Sequence, residues 1–198
     1  SQIPGTIEPA HQKPGDRVVV LGANGAGKSR LLAAVTSAVA GTPAPGFWCA
    51  GSIVPGICDQ ELTQLDRDRI PFELVAGGFD TGDQRARSLL AGAGIGLDLQ
   101  VRPVAALSGG QRARLAMLVL RLQRPNFYML DEPTNHLDIE GQEALEAELC
   151  AREAACLLVS HDRRFVENVG NRFWRIEGKR LVELDGLPDG PLGAQISA

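Results

Sequence analysis

The chain has 198 residues, of which 44% are hydrophobic, enough for the buried core of one compact domain. Its formal charge of −4 gives no overall basic character that would indicate nucleic acid or an acidic membrane as a partner. No stretch approaches the roughly 18 consecutive apolar residues of a membrane span, and the first residues show no signal-peptide pattern. The four cysteines form no C-x-x-C pair, which favours reduced thiols over disulfides or a metal site. We therefore expect a soluble, cytoplasmic protein.

Short β-branched and apolar runs predict buried strands, and apolar residues at helical spacing predict helices between them. The predicted elements are, in chain order, a strand at 17–21, a helix at 28–39, irregular strands and turns at 41–59, helices at 83–93 and 109–123, a strand at 126–130, a helix at 139–151, a strand at 155–159, a helix at 162–169, and a hairpin of strands at 172–176 and 180–184. Asp138 is expected near the N-cap of the helix at 139–151. This alternation of strands and helices indicates an α/β fold with a mostly parallel sheet.

The first chemical motif is Gly22-Ala23-Asn24-Gly25-Ala26-Gly27-Lys28-Ser29, between the first predicted strand and helix. It matches G-x-x-x-x-G-K-[ST], in which glycines let backbone N–H groups turn toward phosphates at a helix N-terminus. Lys28 would reach the β- and γ-phosphates, and the Ser29 hydroxyl would bind Mg²⁺. The alternative is a glycine-rich β–α turn without a ligand, which this context disfavours.

Two carboxylates follow the predicted strand at 126–130. Asp131 suits Mg²⁺ through a water molecule, and Glu132 can polarise an attacking water as a general base. Alone, such a pair is usually a solvated turn. Downstream of a phosphate loop, the catalytic interpretation is favoured.

The second glycine motif, Leu107-Ser108-Gly109-Gly110-Gln111, precedes the helix at 109–123. Ser108 and Gln111 fit a capping box, which is a purely structural alternative. A capping box needs no glycine pair, however, and two glycines weaken the first turn of an ordinary helix. Together with the other motifs, this favours a second anion site at a helix N-terminus.

The order of these motifs, with Gln60, Leu137-Asp138 and Ser160-His161-Asp162, resembles the nucleotide-binding cassette of ABC ATPases over nearly the whole chain. The resemblance implies a P-loop NTPase fold with a mostly parallel central sheet, a small β subdomain and an α-helical subdomain. It makes residues 1–198 one cassette, with the helical subdomain inserted at 61–105 and early N-terminal strands left out.

The same resemblance assigns roles to the motif residues, with ATP and Mg²⁺ as the bound groups. The implied catalytic residues are Glu132, His161 and Gln60, with Gln64 a weaker candidate than Gln60. The implied metal-binding residues are Ser29, Gln60 and Asp131. The implied nucleotide-binding residues are Gly22, Asn24, Gly25, Ala26, Gly27, Lys28, Ser29, Arg30, Ser108, Gly109, Gly110, Gln111 and Asp138.

A second cassette is the partner that the resemblance implies. Ser108 and Gly110 correspond to signature residues that contact the γ-phosphate of a nucleotide held by another cassette. Two cassettes, in one parent chain or as a homodimer, would then pack head to tail with ATP in the interface. Hydrolysis would remove the γ-phosphate and loosen the pair.

The segment Asp131-Glu132-Pro133-Thr134-Asn135-His136-Leu137-Asp138 resembles the soluble ABC-F branch, whose members act on ribosomes. The chain departs from that branch in having one cassette rather than two. It also lacks an aromatic residue before Phe47 to stack on adenine, for which His11 would be a poor substitute. Arg30 stands where a small hydroxyl residue is usual.

Three functions follow as hypotheses. The first is the ATPase cassette of an ABC-F protein that acts on the ribosome as a translation factor or in antibiotic resistance. The second is the ATP-binding subunit of a membrane transporter, with a permease as partner. The third is a nucleotide-gated binding module with weak catalysis.

Overall fold

A computed structural model of the chain describes residues 13–42, 52–135, 137–151, 154–178, 180–190 and 192. Its strands are β1 (Arg17–Leu21), β2 (Pro55–Cys58), β3 (Phe127–Asp131), β4 (Ala155–Val159), β5 (Arg172–Glu177) and β6 (Arg180–Leu184). They form one sheet in the spatial order β2-β3-β4-β1-β5-β6. The pairs are parallel except the hairpin of β5 and β6, which is antiparallel. The predicted α/β fold with a mostly parallel sheet is confirmed.

Helices cover both faces of this sheet. They are α1 (Lys28–Val39), α2 (Pro71–Ala76), α3 (Asp83–Gly92), α4 (Leu97–Gln100), α5 (Gly109–Gln123), α6 (Ile139–Ala151) and α7 (Arg163–Val169). On one face, Leu32 of α1 packs on Val18 and Val20 of β1. On the other face, helices α5, α6 and α7 pack against a cluster that includes Val19 and Leu21. The alternation along β1 follows from the two-residue period of a strand, with both faces buried.

The predicted elements at 17–21, 28–39, 109–123, 139–151, 155–159 and 180–184 have the observed bounds. Strand β3 is shifted by one residue, because the Asn126 side chain accepts from Val54 N and donates to Ser52 O in the segment before β2. Asp131 instead extends β3 by pairing with Val159. Asp162 is the N-cap of α7 rather than its first residue, and its side chain accepts from Phe165 N.

Three short elements were not predicted: α2, α4 and a 3-10 turn at Val104–Ala106. Each has six residues or fewer, so none shows a helical repeat of apolar residues. Together with α3 they form the helical part of residues 61–105. Its fully buried Val75, Leu90 and Ile95 belong to the same core cluster as residues of α5 and β3. The boundaries 61–105 themselves stay a prediction.

Cys58 and Cys156 are buried free thiols and Cys150 is an exposed one, while Cys49 lies outside the described residues. Burial raises the pKa of the Cys58 thiol to about 12, so it stays protonated and unreactive. None of the helices described is both long enough and apolar enough to cross a membrane.

Candidate nucleotide site

The sheet order brings four predicted motifs to one edge. Strands β2, β3, β4 and β1 are neighbours in that order and run parallel, so their carboxyl ends lie side by side. Gln60 follows β2, Asp131 and Glu132 end β3, His161 follows β4, and the phosphate loop (residues 22–29) follows β1. The carboxyl edge of a parallel sheet is where α/β proteins bind ligands. The topology therefore gathers residues that lie far apart in sequence.

The phosphate loop turns on glycines with positive φ. Gly25 has φ 79° and Gly27 has φ 102°, which other residues adopt only with strain, and a Cβ at either would meet no atom within 4 Å. Gly27 is the N-cap of α1 and offers no side chain for capping, so the first N–H groups of α1 have no side-chain partner there. The loop therefore leaves donors for an anion, as the motif predicts.

Lys28 is the first residue of α1. Its Nζ donates to the carbonyl oxygens of Gly22 at 2.7 Å and Ala23 at 3.2 Å, which folds the ammonium over the loop. Burial lowers the pKa of Lys28, while Glu132 and Asp131 raise it again. A partly dehydrated ammonium gains from any added negative charge, so this position favours a phosphate.

Glu132 combines strain with burial. Its φ is 50°, in the left-handed region that non-glycine residues avoid, although its backbone N still donates to Val159 O at 2.9 Å. The side chain is only 10% exposed, and its Oε1 atom has no hydrogen-bond partner. Strain and an unpaired buried oxygen at one residue indicate a functional constraint rather than a packing role.

His161, in the loop that follows β4, contacts the Glu132 carboxylate. The backbone N–H of His161 donates to Oε2 at 3.1 Å, and its Nε2 lies 3.4 Å from Oε1, without forming a hydrogen bond to it. Burial raises the pKa of Glu132, and the backbone hydrogen bond from His161 lowers it in part. A carboxylate with a raised pKa is a stronger base near neutral pH.

Hydrogen bonds of the adjacent Ser160 and Asp162 fix the loop that carries His161. Ser160 is buried, and its Oγ accepts from Asp162 N at 3.1 Å. Asp162 in turn caps α7 by accepting from Phe165 N. The imidazole of His161 remains half-exposed, so it can contact a ligand beyond Glu132.

The signature turn (residues 107–111) has a different character. Ser108 Oγ accepts from Gln111 N at 3.2 Å, and Ser108 N donates to Gln111 Oε1 at 2.9 Å. The capping box given above as the alternative is thus formed. The Ser108 hydroxyl still has its proton to donate, and the N–H groups of the glycine pair lie in the unpaired first turn. The anion site at this turn therefore stays a prediction that the capping box permits.

Gln60 lies closer to the signature turn than its sequence distance suggests. It lines a pocket of about 250 Å³ together with Gly109, Arg67 and Arg112. Among the described residues, no hydrogen bond joins Gln60 to Asp131 or Glu132. Gln64, the weaker candidate, lies beside the Cys58 thiol and partly offsets the rise in its pKa. The catalytic and metal roles of Gln60 stay predictions.

Asp138 has two structural contacts. Its Oδ1 accepts from Gly141 N at 3.0 Å, which caps α6 as predicted, and its Oδ2 lies 3.4 Å from Arg114 Nη1 on α5. Arg30 is exposed and makes no hydrogen bond or ion pair within the described residues. His136 and His11 lie outside the described residues.

A magnesium ion would need a mixed set of oxygen ligands here. Within the part of the chain described, no group of three His, Cys, Asp or Glu side chains could hold a metal by itself. The Ser29 hydroxyl, the Asp131 carboxylate and phosphate oxygens are hard ligands of the kind Mg²⁺ prefers. The unpaired Oε1 of Glu132 beside Asp131 also suits a site that is completed by a bound ligand and its water.

Sequence reasoning missed three features of this region. The left-handed backbone of Glu132 has no sequence signal, because Glu rarely adopts it. The pairing of Arg114 with Asp138 depends on how α5 lies against the start of α6, and the shared pocket of Gln60 and Gly109 depends on how the helical insertion packs. Contacts of that kind cannot be derived from spacing alone.

The strand order and the motifs at the sheet edge define an ATP-binding cassette of the P-loop NTPase type. A family model described as ABC transporter matches residues 10–135, more than half of the chain. The chain therefore belongs to the ABC transporter family.

Curated relatives point to one branch of this family. ATP-binding cassette sub-family F member 3 of Homo sapiens is 39% identical over 173 residues, which cover 86% of this chain and 24% of that protein. The probable ATP-binding protein YheS of Escherichia coli K12 is 32% identical over 174 residues, which cover 87% of this chain and 27% of that protein. These relatives confirm the resemblance to the ABC-F branch, and the chain spans about a quarter of their length.

Solved structures share the fold. The ATP-binding cassette MJ0796, in a dimeric post-hydrolysis state bound to ADP and Pi, superposes with a TM-score of 0.66 at 20% identity, over 89% of each chain. An archaeal ribosome recycling factor, aABCE1, in complex with the ribosomal stalk protein aP1, superposes with a TM-score of 0.62 at 26% identity. That match covers 86% of this chain and 34% of the factor.

Proposed function

We propose that the chain is the ATP-binding and ATP-hydrolysing cassette of a soluble ABC-F protein that acts on the ribosome. One observation carries the catalytic part: Glu132 is strained, buried and held by His161 at the strand end beside the loop of Lys28. Family membership supports ATP as the nucleotide.

In the proposed reaction, the N–H groups of the phosphate loop and Lys28 bind the β- and γ-phosphates. Ser29 and Asp131, the latter through water, would hold Mg²⁺, which neutralises charge on the phosphates when bound. Glu132 accepts a proton from the water whose oxygen bonds to the γ-phosphorus, while the bond to the β-phosphate oxygen breaks and ADP leaves. His161 keeps the carboxylate in place and donates to the γ-phosphate from its exposed side. Gln60 would orient the water and would offer its amide oxygen to the metal.

The signature turn serves a second cassette in this proposal. Ser108 and the N–H groups of Gly109 and Gly110 face outward and contact the γ-phosphate held by the partner cassette. Asp138 couples the two ATP sites of the paired cassettes. The dimeric cassette MJ0796 supports pairing as a use of this fold. An isolated cassette should therefore bind ATP and turn it over slowly.

The ribosome as partner is supported by the resemblance of the segment 131–138 to the ABC-F branch, to which the curated relatives also point. The likeness to an archaeal ribosome recycling factor supports it further. The test is co-sedimentation with ribosomes of the parent protein that contains this cassette, using Glu132→Gln to trap the ATP-bound state. Enrichment with ATP over ADP is expected, and Glu140→Gln, an exposed carboxylate on α6, is the matched control. If the same amount of protein sediments with ribosomes in ATP and in ADP, ATP-dependent action on the ribosome is refuted. The ATPase assignment is unaffected by that result.

A transporter subunit is the second candidate, because a groove of about 420 Å³ lies between α3, α5 and α6. Leu89, Met117 and Leu145 give part of its lining an apolar character that a helix of a permease could fill. A stable complex with a permease, in place of ribosome binding, would favour this candidate.

A further inference from the structure

A tail segment, residues 185–190 and 192, follows β6 and packs back onto the sheet face that carries α5, α6 and α7. Leu187 is partly buried against the main core cluster, and Leu192 belongs to that cluster with 8% exposure. The segment is therefore seated at two apolar points. Between those points lie Pro188 and Gly190, whose carbonyl oxygens face α7.

Arg163 on α7 binds these carbonyls. Its Nη1 donates to Pro188 O at 3.1 Å and to Gly190 O at 2.7 Å. Its Nε donates to Glu167 Oε1 at 2.7 Å, one turn further along the helix. Donors on both sides of the guanidinium are thus occupied, and Glu167 fixes its orientation. Such a planar, multiply bonded arginine is a specific contact rather than a loose surface pair.

The position of Arg163 gives this contact a consequence for the site. Arg163 is the first residue of α7 and lies two residues after His161, whose N–H donates to Glu132. The intervening Asp162 is tied at both ends, because its N donates to Ser160 Oγ and its carboxylate accepts from Phe165 N. The backbone between His161 and Arg163 therefore has little conformational freedom.

We infer that Arg163 is a positioning residue, which binds the tail segment and thereby keeps the His161 N–H on the Glu132 carboxylate. The tail segment acts as a strap across the start of α7. Its release would let the first turn of α7 move, and the His161 loop with it. The consequence for ATP turnover rests on the proposed function, whereas the coupling of tail and loop does not.

The test is amide hydrogen exchange of His161, measured by NMR on the 198-residue chain. In Arg163→Ala we expect exchange at the His161 amide to rise about tenfold, because local opening no longer has to break the clamp. Backbone order in the tail segment, from NMR relaxation, should fall in the same variant. Arg164→Ala is the matched control, since Arg164 is exposed and its polar partner among the described residues is Glu143 at 3.5 Å. It should leave the His161 amide within about twofold of the wild type.

A second variant releases the strap without touching the arginine. Leu187→Asp places a charge where the tail segment packs on the core, and it should accelerate exchange at His161 as Arg163→Ala does. If the tail segment becomes mobile in either variant while His161 exchange is unchanged, the coupling is refuted. If the tail segment stays ordered in both variants, the clamp itself is refuted.

The rate of ATP hydrolysis is an independent test of the same inference. In the parent protein that contains this cassette, Arg163→Ala should lower kcat about tenfold and leave KM for ATP within about twofold, because the phosphate loop is untouched. A parallel rise of KM would instead indicate general damage and count against a positioning role. If the proposed function were wrong, the wild-type parent protein would also lack turnover, but the exchange result for the 198-residue chain would be unaffected.

Discussion

The strand-end cluster (Lys28, Asp131, Glu132 and His161) and the signature turn are built in opposite ways. At the strand ends, a buried carboxylate has left-handed backbone, one unpaired oxygen and a raised pKa. In the signature turn, Ser108 and Gln111 satisfy each other in a capping box, and the glycines that follow carry no strain. The first arrangement is unfavourable without a ligand, whereas the second is stable by itself.

The difference separates two kinds of requirement. A carboxylate that abstracts a proton is held buried and strained, which costs free energy. The stability of the surrounding fold offsets this cost. A surface that only has to meet a partner's phosphate can be stable on its own and keep donors free. Substitutions should therefore affect chemistry at the first site and stability or pairing at the second.

The largest effect is expected at Glu132. Glu132→Gln removes the base but preserves size, so turnover at saturating ATP should fall by about 10² to 10⁴ while ATP binding persists. The measurement is phosphate release together with the dissociation constant for ATP. Glu140→Gln removes an exposed carboxylate on α6 and should change turnover less than about twofold. Retention of most activity in Glu132→Gln would remove the carboxylate from the mechanism.

Lys28→Ala should abolish stabilisation by nucleotide. At a hundredfold excess of MgATP over its dissociation constant, binding stabilises the folded chain by about 2.7 kcal/mol, which the variant should lose. Urea unfolding with and without MgATP measures this difference. Lys13→Ala, which removes an exposed lysine before β1, is the control and should keep the full stabilisation. An undiminished effect of MgATP in Lys28→Ala would place the nucleotide elsewhere.

Ser108 allows capping to be separated from phosphate binding. Ser108→Ala should lower the free energy of unfolding by about 1 kcal/mol through loss of the cap. Ser108→Asp should restore the cap, because its carboxylate can accept from Gln111 N, but the added negative charge should repel the partner's phosphate. ATP-dependent pairing, measured by analytical ultracentrifugation of the parent protein, should then be lost in a stably folded variant. Pairing that survives Ser108→Asp would leave Ser108 with its structural role alone.

The smallest effect is expected at the antiparallel edge, away from both regions. Arg172 donates to Glu183 at 2.7 Å and to Asp16 at 2.7 Å, and the hydrogen bond from Arg172 lowers the pKa of Glu183. Since the pKa is lower in the folded chain, the stabilisation is present at neutral pH and is lost as the pH falls through the acidic range. The exposed pair should contribute less than about 1 kcal/mol. Urea unfolding at pH 7 and at lower pH should show a weaker pH dependence in Glu183→Gln, and an unchanged dependence would show that the pair contributes nothing.

Most of the fold could be predicted because its long strands and helices have recognisable apolar patterns. Strands β1 and β4 contain unbroken apolar runs, α1 has apolar residues at helical spacing, and α5 ends shortly before Pro125. The short α2 and α4 were missed because tertiary packing, rather than their own pattern, makes them helical. The edge strand β2 was expected only as part of an irregular region, since its four residues include Pro55 and Gly56.

The site was predictable to a different degree. Motif spacing predicted which residues follow the strands, and the sheet order brings the phosphate loop, Glu132 and His161 to the same edge. The contact between His161 and Glu132 was implied only by family resemblance, and the backbone strain of Glu132 not at all. Strain and long-range clamps such as Arg163 with the tail segment arise from competing contacts, which no local pattern records.

In the proposed site, nucleotide and metal bind together at the carboxyl ends of β1, β3 and β4. The most direct test replaces Mg²⁺ with paramagnetic Mn²⁺ and follows backbone NMR signals of the Glu132→Gln chain as ATP is added. We expect selective broadening at Ser29, Asp131 and His161, and none when the same metal is added with Lys28→Ala also present. Broadening centred on the helical insertion, or none at saturating ATP, would contradict this assignment.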